Sequence, residues 1–475
     1  MRLCASLLLV GCSASFDLGV SGSAMVDAGP ADGGGDPFEC GARPLPPRLS
    51  TVSVVGDGTR ASCVEEELQR AIAEGGNVQF ECGSGRVEIT LTSPIEISRA
   101  VVVDGEGRVS LSGGGGTRLL RIEDDASEVV LQNLSLNLGN ADTGGAFRVP
   151  SGVRVWLDQV VLTSNEATGS TAPGVAPNAG GGAISVAEGG ELVAVGTNFL
   201  NNEATFGGAI WSEGRIGLHA VRIRQNLALN GGLRQGGALA ITAGEAILCD
   251  AELRDNRAGE GGGVFVDGAS LRVDTSIFRN NPAAGADPRF ESVGGAIAAT
   301  AADVTVDRST FDGNVAIQGG GAVAVRGGNS RWENLTLVEN SASGGPGGAF
   351  SFDGGSHQVR HATFVNNQSP EAGSAISGEG VELVNSLISG TGDPCDRMFA
   401  GVAVAQTSGS ECVPGALVSS ELSGQMERTE CGDLDVFVPS SGSAALGGGD
   451  PASCAEIDQC GEPRGASCDL GAVER

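Results

Sequence analysis

The sequence predicts an all-β protein, a right-handed parallel β-helix with a capping helix at its amino-terminal end and a cysteine-rich cap at its carboxy-terminal end. Three observations predict this fold: two short motifs that repeat in step, apolar residues that alternate with a period of two, and 78 glycines in 475 residues with only 18 prolines. Collagen-like and Pro-rich disordered chains do not fit that composition. Hydrophobic residues make up 40% of the chain, which is enough for a sizeable core.

The repeats divide the middle of the chain into units. A Gly-Gly-small-apolar motif, most often spaced by 26 residues, starts at Gly144, Gly181, Gly207, Gly236, Gly262, Gly294, Gly320, Gly347 and, degenerately, Gly373. An apolar residue followed three positions later by asparagine recurs at Asn165, Asn202, Asn226, Asn256, Asn281, Asn314, Asn340 and Asn367. Because the two motifs share one period, each unit is expected to be one coil of a solenoid.

Within a unit the apolar residues alternate, which predicts strands rather than helices. The inward-facing residues of two successive units are expected to be Leu271, Val273, Ser276 and Phe278, then Val304, Val306, Ser309 and Phe311. About three strands per coil and roughly eleven or twelve coils, rising ~4.8 Å each, would make a rod of roughly 55 Å. The motif asparagines would then form a ladder that tolerates left-handed dihedral angles and hydrogen-bonds along the stack.

The paired GGAI and FxxN motifs resemble the repeats of the chlamydial polymorphic membrane proteins and related β-helix surface proteins, over about residues 144–390. In that family the repeats form an exported adhesive rod, so the resemblance implies surface display without naming a ligand. The β-helix itself is expected over residues 41–390.

The start of the β-helix is predicted to carry its own cap, because bare solenoid ends aggregate by edge pairing. Ser62-Cys63-Val64-Glu65 has the pattern of a capping box, and an amphipathic helix is expected over about residues 62–74, ended by Gly75. This helix and the alternating apolar runs that follow it resemble the opening of pectin-lyase-like β-helix proteins.

The amino terminus predicts export. Residues 1–11 are a positive start followed by a short apolar run and are expected to be a signal peptide. The run ends in Leu-Val-Gly-Cys, which resembles the bacterial lipobox and implies cleavage before Cys12 and a lipid on that residue. Residues 12–40 are expected to be a flexible tether. The predicted location is the outer-membrane surface of a Gram-negative, GC-rich bacterium, with the lipid as the only membrane contact.

Ten further cysteines are disulfide candidates, because disulfides persist in exported proteins. They are Cys40, Cys63, Cys82, Cys249, Cys395, Cys412, Cys431, Cys454, Cys460 and Cys468. The crowded segment 391–475, the predicted disulfide-rich cap, resembles the terminal segment of the choice-of-anchor Q family. Cys454 and Cys468 match that family's cysteine pair, and the additional Cys460 is expected to pair with another cysteine, with Cys431 as a candidate.

The charge balance excludes several kinds of function. All 29 basic residues are arginine, and 58 acids give a net charge of −29. A surface this acidic repels phosphate backbones, so no nucleic-acid partner is expected. The absence of lysine also excludes Schiff-base chemistry and a P-loop.

Two residue columns are candidate sites. One residue after the apolar position of the second motif, Arg224, Arg254 and Arg279 should stack, with Arg222 nearby, and this stripe could bind an acidic glycan. The simpler interpretation is a solvated stripe balanced by Glu252 and Asp255. Four residues before that position stand Asp274, Asp307 and Glu333, a candidate calcium site. Its simpler interpretation is a set of corner residues neutralised by Arg272, Arg308 and Arg331.

Other positions predict little chemistry. The outward neighbours of the GGAI strands are expected to be Ala183/Ser185, Ala238/Ala240, Ala322/Ala324 and Ala349/Ser351, a nearly inert face with no acid–base pair. The motifs of polygalacturonases are missing. His357 and His361 are expected at the surface rather than as ligands. No cofactor is expected apart from the candidate calcium ion.

The sequence therefore predicts a non-catalytic, lipid-anchored surface rod for binding, adhesion or envelope structure, with an extracellular glycan or a cell-surface protein as its partner. The alternatives are a secreted polysaccharide lyase or glycoside hydrolase acting on acidic glycans, and a purely structural spacer. Binding specificity is expected in two loops that lengthen their coils, residues 169–179 and 281–292.

Overall fold

The computed structural model describes residues 35–41, 43–169, 180–228, 234–285, 292–424 and 426–475. The predicted signal peptide, Cys12 and the tether up to residue 34 lie outside the described residues. So do residues 170–179 and 286–291, which are nearly all of the first predicted binding loop and half of the second. In the described part, no helix is long and apolar enough to span a bilayer.

The chain from residue 35 onward forms a parallel β-solenoid of about twelve turns, which confirms the predicted fold class. Sheet 1 is one parallel stack of strands. Its separate strands are Val52–Val55, Gly76–Phe80, Arg154–Asp158, Glu191–Val195, Arg215–His219, Glu245–Cys249, Ser270–Asp274 and Asp303–Asp307. Strands longer than these continue into sheet 2: Val101–Ser112, Glu128–Asn137, Asn329–Val338, Ser356–Val365, Val381–Ser389 and Ala400–Gln406.

Sheet 2 follows sheet 1 around each coil, and sheet 3 completes the coil. The separate strands of sheet 2 are Val87–Thr90, Val161–Thr163, Asn198–Leu200, Arg222–Arg224, Glu252–Arg254, Ile277–Arg279, Thr310–Asp312 and Leu417–Val418. Sheet 3 contains the GGAI strands Phe147–Val149, Ile184–Val186, Ile210–Ser212, Leu239–Ile241, Val264–Asp267, Ile297–Thr300, Val323–Arg326, Phe350–Asp353 and Ile376–Gly378.

Smaller elements connect and extend these sheets. Ile95–Ile97 and Leu120–Ile122 pair before sheet 3 begins. Two-residue strands after sheet 2 add a fourth side to the coils, at Asn140–Ala141, Glu166–Ala167, Glu203–Ala204, Leu227–Ala228, Pro282–Ala283, Val315–Ala316 and Ser341–Ala342. An antiparallel pair of strands joins Met426–Cys431 to Leu434–Pro439, and an isolated antiparallel bridge links Ile457 to Pro463. Short 3₁₀ turns lie at Arg60–Ser62, Ser420–Gly424 and Pro451–Ser453.

The core is one continuous cluster of inward-facing side chains from successive coils. The predicted inward residues are confirmed, since none is more than 2% exposed: Leu271, Val273, Ser276, Phe278, Val304, Val306, Ser309 and Phe311. Phe278 and Phe311 stack with ring centroids 4.9 Å apart, because strands in register place equivalent side chains one above the other.

The asparagine ladder is confirmed, and it is buried. In each step the backbone and side-chain amides of one asparagine donate to the Oδ1 of the next, as from Asn226 to Asn256 at 3.0 Å for both bonds. The predicted left-handed backbone is wrong for these asparagines, however. The preceding residue adopts it instead, for example Gln225 with φ 57° and Asp255 with φ 55°. The preceding residue makes the bend, so that the asparagine amide can point along the stack.

The Gly-Gly motif is explained by two separate demands of the coil. The first glycine bends the chain with positive φ, as Gly207 does at 58°. The second lies where adjacent coils touch, and a Cβ atom on Gly208 would overlap the carbonyl oxygen of Gly237. Both requirements recur from Gly144 to Gly347, which is why the motif repeats there. In the coil of the Gly262 motif, the bend is at Gly261, with φ 59°, and Gly262 takes the second position.

The helix at the start of the solenoid spans Glu65–Glu74 and ends at Gly75, whose φ is 75°. It buries Leu68, Ala71 and Ile72 against the first coils. The predicted capping box is wrong. Val64 is the N-cap and makes no side-chain bond, while Ser62 belongs to a 3₁₀ turn and its hydroxyl donates to the Thr59 carbonyl at 2.8 Å.

All ten candidate cysteines pair, as Cys40–Cys249, Cys63–Cys82, Cys395–Cys412, Cys431–Cys460 and Cys454–Cys468. Cys454–Cys468 is the pair expected from the resemblance, and Cys431–Cys460 is the pair suggested for the additional cysteine. Cys40–Cys249 joins residues 209 positions apart and fixes the first described residues to the middle of sheet 1.

Candidate binding faces

The arginine stripe forms on the outer face of sheet 2 as predicted. The strands place Arg224, Arg254 and Arg279 in register, with Arg222 opposite Glu252. Each arginine has a carboxylate partner. Arg224 and Arg222 both pair with Glu252, and the distance from Arg222 is 3.8 Å. Arg254 contacts Asp255 at 3.2 Å. The stripe is therefore close to neutral, as the simpler interpretation of the sequence expected.

The carboxy-terminal segment ends the stripe on one side. Arg279 reaches Asp312 at 3.0 Å and Asp435 of the antiparallel pair at 2.5 Å. From this point onward, residues 426–475 lie on the outer face of sheet 2, where Leu434, Val436 and Val473 pack on Ile277. We call residues 426–475 the C-terminal cover. It folds back along the solenoid instead of only closing its end.

Polar contacts fix the C-terminal cover to sheet 2. The amide of Gln459 donates to the Ser309 carbonyl at 3.0 Å and accepts from the Thr336 hydroxyl at 2.6 Å. Arg464, whose side chain is 0% exposed, donates to the Asn334 side chain at 3.0 Å and pairs with Glu474 at 3.2 Å. Burial lowers the pKa of Arg464, and the charge of Glu474 opposes that shift. The bond to Asn334 links Arg464 to the solenoid, while Glu474 and the carbonyls of Gly471 and Ala472, which also accept hydrogen bonds from Arg464, belong to the cover itself.

The three candidate calcium ligands are in register, since Asp274 pairs with Asp307 and Asp307 with Glu333. Each of them already has a protein partner. The Arg308 guanidinium donates to Asp274 at 2.9 Å, the Asn334 amide donates to Asp307 at 3.0 Å, and Arg331 pairs with Glu333. Burial raises the pKa of Asp307, which the Asn334 bond partly offsets. Among the described residues, no group of three or more His, Cys, Asp or Glu side chains is arranged to hold a metal ion.

The expectation that His357 and His361 lie at the surface is wrong. They are 1% and 0% exposed. His357 points inward between the Ser330 hydroxyl at 2.8 Å and the Gly354 carbonyl at 2.6 Å. His361 occupies a left-handed corner, with φ 48°, beneath the C-terminal cover. Burial and the charge of Arg464 lower its pKa to about 4.

The outer face of sheet 3 also differs from the prediction. Ala183, Ala238, Ala322 and Ala349 were expected to point outward but are fully buried in the core. They stand at the corner before each strand, where the alternation of the strand does not yet apply. Further along the sheet, outward Phe265, Ala298 and Ala324 form a separate apolar cluster with Val293.

Sheet 1 has an outer face that the sequence analysis did not single out, and its two halves differ. In the first half the central outward residues are Val102, Val130, Trp156, Val193, Gly217 and Ile247. Residues 35–41 and 43–50, here called the N-terminal strap, cover them with Phe38, Cys40 and Leu49. Gly217 leaves room for the strap, because a Cβ atom there would overlap the Pro37 carbonyl.

In the second half of sheet 1 the same column becomes polar, and the described residues leave it exposed. It continues as Arg272, Thr305, Arg331, Gln358 and Glu382, in register from strand to strand. The strap does not reach these strands, and the C-terminal cover lies on sheet 2. We call this half, with its flanking outward columns, the polar face. The switch from valine and isoleucine to arginine and glutamine in one column is the signal that could have located it.

No protein-family model matches the chain, and a comparison with curated proteins finds no significant match. The likeness of the repeats to the polymorphic membrane proteins therefore rests on the motifs alone.

Proposed function

We propose that this protein is a lipid-anchored β-solenoid displayed on the outer-membrane surface, where it binds an extracellular glycan or a cell-surface protein without catalysis. The observation that carries the proposal is a solenoid with five disulfides, in which the described residues leave part of each of two broad sheet faces exposed. Disulfides persist in oxidising compartments, which supports export. Repeat folds bind through extended surfaces of this kind.

The pairing of charges supports binding over hydrolysis. The arginine stripe and the carboxylate column are both neutralised by neighbouring side chains, as in Arg224 with Glu252 and Arg308 with Asp274. A general acid needs a raised pKa and a free path to its substrate. Burial raises the pKa of Asp250 and of Asp307, and the charge of Arg308 opposes both shifts. Asp307 also accepts a hydrogen bond from Asn334.

The anchor and the location are tested together with the full-length chain in a Gram-negative host. Metabolic labelling with a palmitate analogue should mark the wild type and not Cys12→Ala, and only the variant should leave the detergent phase on partitioning. External protease should digest the wild type on intact cells. An unlabelled wild type, or one that is protected until the cells are lysed, would contradict the anchored surface location.

The binding activity is tested by incubating the full chain with acidic and neutral polysaccharides and with intact cells, with and without calcium. Retention without new chain ends supports the proposal. Cleavage that is lost when Arg224, Arg254 and Arg279 become alanine would instead show a polysaccharide lyase or hydrolase. If the protein is neither retained by a polysaccharide nor bound to cells, a purely structural spacer would be the better account.

A further inference from the structure

We propose that the polar face of sheet 1 is a binding site for an uncharged polysaccharide, with its deepest subsite at the carboxy-terminal end of the solenoid. This inference rests on the proposed binding function and names the ligand class and the place.

The first argument is the composition of the face. Three outward columns run across its strands, and nearly all of their side chains donate or accept hydrogen bonds. The outer columns are Ser270, Asp303, Asn329 and Ser356 on one side, and Asp274, Asp307, Glu333 and Arg360 on the other. Between them runs the central column from Arg272 to Glu382. Such an array fits a ligand that presents hydroxyl groups along its whole length.

The second argument is spacing. Parallel strands repeat every ~4.8 Å, so the columns offer equivalent groups at a distance close to the length of one pyranose ring. A polymer of similar sugars could therefore make related contacts on successive strands. The face is flat and preformed, so little ordering free energy opposes binding.

The third argument is charge, and it decides between neutral and acidic glycans. Arg331 pairs with Glu333, and Arg360 lies 3.7 Å from Glu382. In the three columns, carboxylates outnumber arginines by five to three: Asp274, Asp303, Asp307, Glu333 and Glu382 against Arg272, Arg331 and Arg360. No excess of positive charge remains to attract uronates, and the chain as a whole carries −29. Long-range repulsion from such a charge disfavours anionic polymers. An uncharged glycan meets no such penalty.

The fourth argument is a concavity of about 470 Å³ where the polar face ends. Ser356, Gln358 and Glu382 belong to the polar face and line it, and Glu379, Arg397 and Met398 add to its lining. Arg397 pairs with Glu379 at 3.0 Å, and Met398 is 58% exposed. Polar groups beside an exposed apolar side chain can hold a sugar by its hydroxyls and by its less polar ring face.

The polar face is accessible because neither the strap nor the C-terminal cover extends over it. The strap ends at the Ile247 strand of sheet 1, where Cys40 joins Cys249, and the C-terminal cover begins on sheet 2 at Ile277. The strap covers the apolar half of the central column of sheet 1 and does not extend over its polar half. Along the central column, the strands that the strap leaves exposed are therefore the ones whose outward residues are polar.

The test is affinity electrophoresis of the full chain, with its disulfides formed, in gels containing mixed-linkage β-glucan, xylan, mannan, dextran or polygalacturonate. We expect retardation by at least one neutral polymer. Titration calorimetry with the hexasaccharide of that polymer then compares variants. Gln358→Ala with Glu382→Ala should weaken binding at least about tenfold, the cost of two lost hydrogen bonds. Ser356→Trp, which fills the concavity from the surface, should also weaken it.

The matched controls are Thr163→Ala and Asn198→Ala, at outward positions on the uncovered part of sheet 2. They should leave the affinity within about twofold, as expected for surface sites away from a ligand. Circular dichroism and the unfolding temperature check that each variant is folded. Equal affinity in the folded Gln358 and Glu382 variant would overturn the inference.

Two further outcomes separate this inference from the proposed function. Retardation by polygalacturonate alone, lost in Arg222→Ala with Arg254→Ala, would keep a glycan-binding protein but move its site to sheet 2. Binding to intact cells without retardation by any polymer would keep the binding function through a protein partner. In either case the polar face would not be a neutral-glycan site.

Discussion

At the scale of single residues, stability depends on buried polar groups that are satisfied only by the next coil. Each ladder asparagine from Asn202 to Asn340 bonds to groups of both neighbouring coils, and Asn226, Asn256 and Asn314 are 0% exposed. A buried amide left without a partner costs about 1–3 kcal/mol. The ladder is therefore a sensitive place to test whether the coils stack as described.

Asn256→Ala should lower the free energy of unfolding by about 2–4 kcal/mol. The variant removes the partner of the Asn226 backbone amide and the side-chain donor to the Ile223 carbonyl, both in the core. Urea titration followed by circular dichroism measures this. Asn198→Ala, at a half-buried position on the outer face, is the control and should cost less than about 1 kcal/mol. Equal losses would argue against a ladder.

His361 should make the protein less stable in mild acid. The Ala455 amide donates to its Nε2 at 3.2 Å, and the folded pKa of about 4 lies below the ordinary 6.5. The unfolded chain therefore takes up the proton first, so stability is complete above pH 6.5 and falls as the pH drops towards 4. The loss should reach about 3 kcal/mol near pH 4.

The comparison for this prediction is His361→Asn, since asparagine accepts the left-handed backbone found at this position. Urea titrations between pH 7.5 and 4 should show a smaller pH-dependent loss in the variant than in the wild type. The difference between the two proteins removes the contribution of the carboxylates, which also titrate. Parallel pH profiles would contradict the assignment.

At the scale of elements, the strap and the C-terminal cover decide which surfaces meet solvent. Strap contacts include the Pro37 carbonyl with His219 at 2.8 Å, and the Phe38 ring 3.9 Å from the Arg215 guanidinium carbon. Phe38 is 5% exposed and packs on the outward valines of sheet 1. Removing such a contact should open an apolar face while leaving the coils intact.

Phe38→Ala should destabilise the strap by about 3 kcal/mol, a typical cost for removing a buried aromatic ring. Binding of a hydrophobic dye should increase, and a protease should cut near residue 41 faster, with unchanged circular dichroism. Arg43→Ala is the control: its ion pair with Asp158 at 2.5 Å is exposed and contributes little. A variant that binds no more dye than wild type would mean that the strap does not depend on this ring.

At the scale of the whole molecule, a net charge of −29 acts against folding through self-repulsion. Salt screens charges beyond about 10 Å at 0.1 M, which leaves close pairs such as Arg215 with Glu245, at 3.2 Å, less affected. Repulsion among the unpaired acids should therefore be the larger salt-dependent contribution.

Raising sodium chloride from about 0.01 M to about 0.5 M should increase the unfolding temperature by a few degrees. Scanning calorimetry measures this at pH 7.5, with disulfides intact. Sucrose at equal osmolality controls for effects that do not involve charge. A decrease with salt would show that the Arg–Glu pairs across the strands outweigh the repulsion.

The sequence by itself determined the coil. Its glycine pairs, asparagines and alternating apolar residues are local demands that recur in every turn, so their period predicted the strands, the ladder and the inward residues. Its cysteines also indicated the disulfide-rich end. The predictions of a helix cap at Ser62 and of a surface position for His361 were wrong. Contacts with neighbouring turns and with the C-terminal cover decide the environments of these two residues.

Only the tertiary structure decided which faces are open. Cys40 reaches Cys249 across 209 positions, and Gln459 reaches Ser309 and Thr336 on sheet 2. No period or local motif encodes contacts at such separations, since they depend on how the two ends of the chain pack onto a finished solenoid. The same outward column is therefore buried at Ile247 and exposed at Arg272.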